Sequence, residues 1–401
     1  MAEVISVKLK HFDYTKKLNL FFNSILVAII AVALPQVIAP GKVLLKGFLK
    51  LENIEVLYLF VGVLFVVNVY KQIGNIADYL LYWTRLIRNP RLALIFTSMV
   101  LAIMPVKGRT IVSAPIIGQI AEKHRLNKIS AAMVDFIATH IVYLVLPIEG
   151  SVIVVLTTFA TIGFHLGTFI SYMLPGIIFL VGVVAYYSWK TSRGVTLELP
   201  RAQVTFRQAV KVTLPLLLLM ASLYLYEMKD VRYAIIAGTT IFVGLSLAIL
   251  KPSRQQIRNA VKTMDTQLIL TLVLIFLFAA TVSQLPWIKQ LAAEVVTSGY
   301  TIPVLAAIGY LAGFTLGSSS GMATLIFPLL APLIRSAPNA FQIIAITYAA
   351  MYAGYLASPA HPCCHYAASY FDNAYLKIWA RVTAYSAVAA ALIVLVALVR
   401  G

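Results

Sequence analysis

Two cations, Lys107 and Arg109, flank a glycine in the turn Met104-Pro105-Val106-Lys107-Gly108-Arg109-Thr110, which joins two apolar arms. Lys107 and Arg109 stand 16 and 18 positions after Arg91 (107 − 91 and 109 − 91). At 1.5 Å per residue that is roughly 24 Å of helix, deep in a bilayer. A cation held there costs on the order of 3 kcal/mol, so such residues are functional candidates by default. A helix starting near Arg109 also aims unpaired backbone N–H groups and a positive dipole end at the turn, which makes an anion the natural ligand. Arg109 can grip a carboxylate, sulfate or phosphate bidentately, with Lys107 as a point charge and Gly108 and Thr110 completing the turn. The plainer alternative is a lasting ion pair of either cation with Asp135 or Glu149.

A second turn, Gly317-Ser318-Ser319-Ser320-Gly321, puts hydroxyls and flexible backbone at another helix start. Ser318, Ser319, Ser320 and Gly321 either cap that helix or help to coordinate a substrate or ion. Glu149 and His361 each lie two residues after a helix-breaking proline, Pro147 and Pro359. If the two breaks meet, this acid and this histidine share a cavity, and a histidine is an obvious carrier of a coupling proton; the alternative is a static hydrogen-bonded pair. Asp135, inside an apolar run, is a further acid for H⁺ or Na⁺. The string His361-Pro362-Cys363-Cys364-His365 invites a metal reading, but its spacing matches no usual zinc pattern and no metal is expected. His140, on a long apolar helix, reads as a core histidine.

The elements that hold these residues are apolar. With 61% hydrophobic and 11% charged residues and a mean hydropathy of +0.90, the chain is no soluble globule. It reads as an all-α polytopic membrane protein. The +18 net charge sits in short clusters between apolar segments of about 20 residues, which favours membrane orientation over nucleic acid. Two adjacent cysteines, Cys363 and Cys364, offer no disulfide framework.

The chain also repeats itself. Gly108 to Pro115 recurs as Gly321 to Pro328, 213 positions on (321 − 108), and Pro147, Glu149 and Phe159 recur as Pro359, His361 and Phe371, 212 positions on (359 − 147). Duplicated broken helices point to the binding site of a secondary transporter. The first repeat is expected over 1–188, with scaffold helices in 18–70, a re-entrant hairpin at 91–125, a broken helix at 128–163 and a span at 167–188. The run after Lys16 and Lys17 is read as a retained first span rather than a cleaved signal peptide. A basic cytoplasmic linker and an unpaired span fill 189–230. The second repeat, 231–401, holds scaffold helices in 231–284, a hairpin at 300–335, a broken helix at 340–373 and a span at 377–399. A cytoplasmic N-terminus puts most of the 32 Lys and Arg in cytoplasmic loops, in line with the bias of short inner loops. The same scheme inverts the second repeat relative to the first.

Ser358-Pro359-Ala360-His361-Pro362-Cys363, with Tyr370-Phe371 and Ser113-Ala114-Pro115, resembles the signatures of the DUF401 family of integral membrane proteins, grouped with the ion transporter superfamily. The resemblance implies two inverted repeats, hairpin tips that meet the substrate, a dimerising scaffold and elevator-like movement. The Ser-Asn-Thr motifs of sodium/dicarboxylate members are absent from both turns, so neither Na⁺ coupling nor a dicarboxylate carries over. The expectation is a non-enzymatic, homodimeric transporter of a small, organic anion in the cytoplasmic membrane, coupled to H⁺ or Na⁺ and without a cofactor. Its partners are the anion and the lipid bilayer. An intramembrane metal-dependent enzyme and an ion channel are the rivals.

Overall fold

The computed structural model describes residues 23–24, 27–36, 41, 51–73, 90–102, 110–123, 125–146, 149–191, 205–210, 213–214, 217–218, 234–264, 266, 269–270, 273–274, 277, 281, 285–286, 290, 294, 299–316, 319–359, 361–371 and 374–400. Lys107, Gly108, Arg109, Pro147 and Ser318 lie outside the described residues, as does most of the linker and unpaired span at 189–230. The described residues form helices and contain no strand.

Thirteen helices of nine residues or more carry the argument: α1 (Leu51–Ile73), α2 (Pro90–Ala102), α3 (Thr110–Lys123), α4 (Lys128–Ile141), α5 (Gly150–Phe159), α6 (Leu166–Thr191), α7 (Ala234–Leu250), α8 (Arg254–Lys262), α9 (Thr301–Leu316), α10 (Ser319–Arg335), α11 (Ala340–Ala357), α12 (Pro362–Tyr370) and α13 (Tyr375–Arg400). The order α2 to α6 recurs as α9 to α13. α4 and α11 start 212 residues apart (340 − 128), and so do α5 and α12 (362 − 150). α1 runs past the expected boundary at 70 to Ile73, and α10 starts at Ser319 because the serine run continues into the helix.

α6, α11 and α13 are long and apolar enough to cross a membrane, but their surroundings differ. The apolar window of α11 is 83% buried inside the protein, against 39% for α6 and 33% for α13. α11 is therefore the central rod, and the other two leave most of their surface for lipid. α6 and α13 run antiparallel. The Arg400 guanidinium donates to the Ser171 hydroxyl at 3.2 Å, Gly176 faces Ile393, and the Tyr187 and Tyr385 hydroxyls are 3.0 Å apart. α9 and α11 run side by side, with Gly309 against Thr347 and Gly313 against Met351.

The short polar helix α8 follows the apolar α7. Ser253 caps it in a reciprocal box with Gln256, the Ser-x-x-Gln signature of a helix start. Its Gln256 amide donates to the Gln72 carbonyl at 3.4 Å. That contact puts the C-terminal ends of α1 and α7 on one side of the molecule.

Candidate functional site

Each repeat breaks its long helix at the same station. α4 ends at Ile141 and runs through a 3-10 turn, Val142–Leu144; the chain then leaves helical geometry and restarts at α5 with Glu149 as N-cap (φ −76°, ψ 128°). α11 ends at Ala357, and His361 is the N-cap of α12 (φ −70°, ψ 109°), with Pro362 opening the helix. Proline suits that first position because its missing N–H would be unpaired there anyway. Neither Glu149 nor His361 spends its side chain on its own helix cap. Both are buried.

A break frees backbone carbonyls, and inside a membrane each needs a donor. Tyrosines of α11 supply them across the repeat boundary. The Tyr348 hydroxyl donates to the Tyr143 carbonyl at 2.6 Å and lies 2.9 Å from the Ser151 hydroxyl; the Tyr352 hydroxyl donates to the His140 carbonyl at 3.3 Å. At the other break, the Trp379 indole donates to the Ala357 carbonyl at 2.9 Å and the Tyr375 hydroxyl to that of Pro359 at 3.4 Å. Tyr348→Phe should lower stability by about 1–3 kcal/mol, since it leaves a buried carbonyl without its donor. Thermal unfolding of the purified protein in detergent measures the loss, and an unchanged midpoint would refute this account of the break.

Helices of the two halves pack crosswise. α3 packs on α12 and α10 on α5, so the inner arm of each repeat lies against the restarted half-helix of the other. Thr110, the residue after Arg109, is buried and donates its hydroxyl to the Cys363 carbonyl at 3.4 Å. Ser319, at the start of α10, is buried as well, and the Arg335 guanidinium at its far end donates to the Thr158 carbonyl. Ser320 and Gly321 lie within α10, next to Ser319.

Asp135 is wholly buried on α4, where three elements converge. The Ser113 hydroxyl of α3 donates to its Oδ2 at 3.0 Å, and the buried Ser98 hydroxyl of α2 lies close by. Oδ1 accepts no hydrogen bond among the described residues. A carboxylate oxygen with spare acceptor capacity, set among hydroxyls, is an oxygen-rich station for a hard cation or a proton.

His361 meets a second histidine from the other half of the chain. Its Nε2 lies 3.2 Å from Nε2 of His140, and its ring stacks on Tyr355 at 4.2 Å. Both Glu149 and Cys363 fall within electrostatic reach of the Tyr355 hydroxyl. His140 is a buried, hydrogen-bonded core histidine, as its apolar helix suggests, and its partner lies 221 positions away. Ser98 and the tyrosines of α11 were missed, and no spacing rule marks them.

Comparison with known proteins agrees with this architecture. No curated protein matches the chain. The crystal structure of the YdaH transporter from Alcanivorax borkumensis, described as having an unusual topology, superposes with a TM-score of 0.63 at 14% identity, covering 95% of this chain and 97% of that one. At that identity the fold is what the two share. The profile of the family described as "Protein of unknown function (DUF401)" matches residues 15–400, all five repeated elements of both halves included, and the chain belongs to that family.

Proposed function

We propose that the chain is a secondary active transporter that carries a small organic anion across the cytoplasmic membrane, coupled to H⁺ or Na⁺ and working by an elevator-like movement. The crossed packing carries the reading: each hairpin arm lies on the other repeat's restarted half-helix, α3 on α12 and α10 on α5. Such an arrangement brings four helix N-termini, those of α3, α5, α10 and α12, to the interior, where they favour negative charge. The repeats are read as inverted because the equivalent helices α6 and α13 run antiparallel. Further support comes from residues that touch their own counterparts. The Tyr355 hydroxyl bonds that of Tyr143 at 3.3 Å, and Tyr352 bonds the His140 carbonyl; both pairs are 212 positions apart, as expected beside a pseudo-two-fold axis.

In this reading Lys107 and Arg109 attract the anion, while Gly108, Thr110, Ser318 to Gly321 and the backbone around Pro147 and Pro359 complete its site. Asp135 takes the coupling cation, with Glu149 as a second acid at the first break. The scaffold helices form a homodimer, and the N-terminus is cytoplasmic. Proteoliposomes holding the full chain, given a panel of labelled organic anions under separate Na⁺ and pH gradients, test it directly. Saturable uptake driven by one gradient is expected, falling at least about tenfold for Arg109→Ala, the loss of roughly one charge-assisted hydrogen bond. A steady uncoupled current, or uptake unaffected by Arg109→Ala in folded protein, would overturn the anion site.

A further inference from the structure

The fold gathers a second cluster that the transport reading does not use. His140 comes from α4 in the first repeat; His361 and Cys363 come from the break before α12 and from its first turn. All three are buried, and their ligand atoms lie within 4.8 Å of one another. We propose that His140, His361 and Cys363 form a three-ligand site for a transition-metal ion of the Zn²⁺ class, one that pins together the breaks of the two repeats.

Several independent features fit a metal. His140 Nδ1 lies 2.6 Å from the Phe136 carbonyl. The N–H therefore sits on Nδ1, and the Nε2 lone pair is turned toward His361. Outer hydrogen bonding of this kind orients most metal-ligating histidines. The Thr139 hydroxyl, 3.1 Å from the same Nδ1, tightens it further. Rings on both sides hold the imidazoles: Phe136 stacks on His140 at 4.2 Å with planes 9° apart, and Tyr355 stacks on His361 at 4.2 Å.

The nitrogen spacing agrees as well, while the Cys363 thiolate, within 4.8 Å of the nitrogens, must draw in to share the ion. Two nitrogens 3.2 Å apart, each about 2.0–2.1 Å from a zinc ion, subtend about 100–106° at the metal, close to tetrahedral. A thiolate and two imidazoles suit zinc and its neighbours rather than hard cations such as Na⁺ or Mg²⁺. Three protein ligands leave a fourth position for water or another donor. Cys364 is buried beside Cys363 but is no member of the cluster, which makes it an internal control.

The simplest competitor is a hydrogen bond between the two Nε2 atoms with no metal at all. Titration of chelator-treated full-length protein in detergent with Co²⁺ separates the two. The metal site predicts one Co²⁺ per chain, absorption of a tetrahedral complex with a thiolate-to-cobalt charge-transfer band, and displacement of both by Zn²⁺. Cys363→Ser should abolish the charge-transfer band and weaken Zn²⁺ binding by more than the roughly 10–100-fold typical of losing an outer hydrogen bond to a ligand. Cys364→Ser should keep both. Zn²⁺ should raise the unfolding midpoint of the wild type and of Cys364→Ser, but much less that of Cys363→Ser, because binding to the folded state shifts its stability. If His140→Gln does not fold, the two serine variants still decide the matter. Absence of saturable Co²⁺ binding, or identical behaviour of Cys363→Ser and Cys364→Ser, overturns the site and leaves a hydrogen-bonded pair only. None of these readouts depends on transport, so failure here leaves the carrier reading intact.

Discussion

Gly313→Leu will leave little or no correctly folded protein to purify. A Cβ at Gly313 would collide with the Met351 carbonyl oxygen and the Tyr355 amide, and at Gly354, on the other side of the same contact, with the Tyr310 carbonyl. The obstacles are backbone atoms, which cannot rotate aside as a long side chain would. α9 and α11 approach this closely because Gly309 and Gly313, four positions apart, present no side chain, the small-residue spacing that lets membrane helices meet. A leucine must push α9 away from the central rod, and overpacking of 1–3 kcal/mol is the lower bound when the neighbours can yield. Here they cannot. Size-exclusion profiles and detergent-extracted yield measure the effect, with Gly244→Leu as control, since a Cβ there meets nothing. A monodisperse Gly313→Leu peak at wild-type yield would show the packing to be wrong.

Asp135→Asn should fold well and lose gradient-driven accumulation by about 100-fold or more. Asparagine keeps the shape of the side chain, and its carbonyl oxygen can still accept from the Ser113 hydroxyl that now reaches Oδ2 at 3.0 Å. What disappears is the charge that would hold Na⁺ or release H⁺. Burying an ionised carboxylate costs several kcal/mol unless a cation or several donors offset it, so removing the charge should leave stability equal or higher while removing the reason for the cation to bind. Exchange of labelled for unlabelled substrate across the same membranes should survive, because it needs no net movement of the coupling ion. Ser113→Ala should weaken coupling less, by about tenfold, the worth of one hydrogen bond. Full accumulation by Asp135→Asn would remove this residue from the coupling mechanism.

The architecture was largely legible in the sequence, for local reasons. Apolar runs of fixed length mark membrane helices, and prolines without an N–H mark where they must stop, so Pro147 and Pro359 located both breaks and the constant spacing of 212 paired them. The helix α8 was missed although its sign was present: Ser253 and Gln256 form a capping box, but a short polar helix beside apolar spans reads as loop.

The chemistry inside the molecule was less legible. α11 is apolar on every side and buried on nearly every side, so periodicity selects no face, and Tyr348, Tyr352 and Tyr355 look like ordinary interior aromatics until the carbonyls they serve are in place. Ser98 is one hydroxyl among many. His140 and His361, 221 positions apart, carry no mutual signal, because their encounter depends on how two breaks are folded over each other. Sequence alone pointed to a helical membrane protein with two interrupted helices, since those properties follow from composition and from backbone chemistry at single residues. Tertiary structure alone decided which buried polar groups meet, since a lone hydroxyl or imidazole gains its role from the partner that satisfies it where water cannot reach.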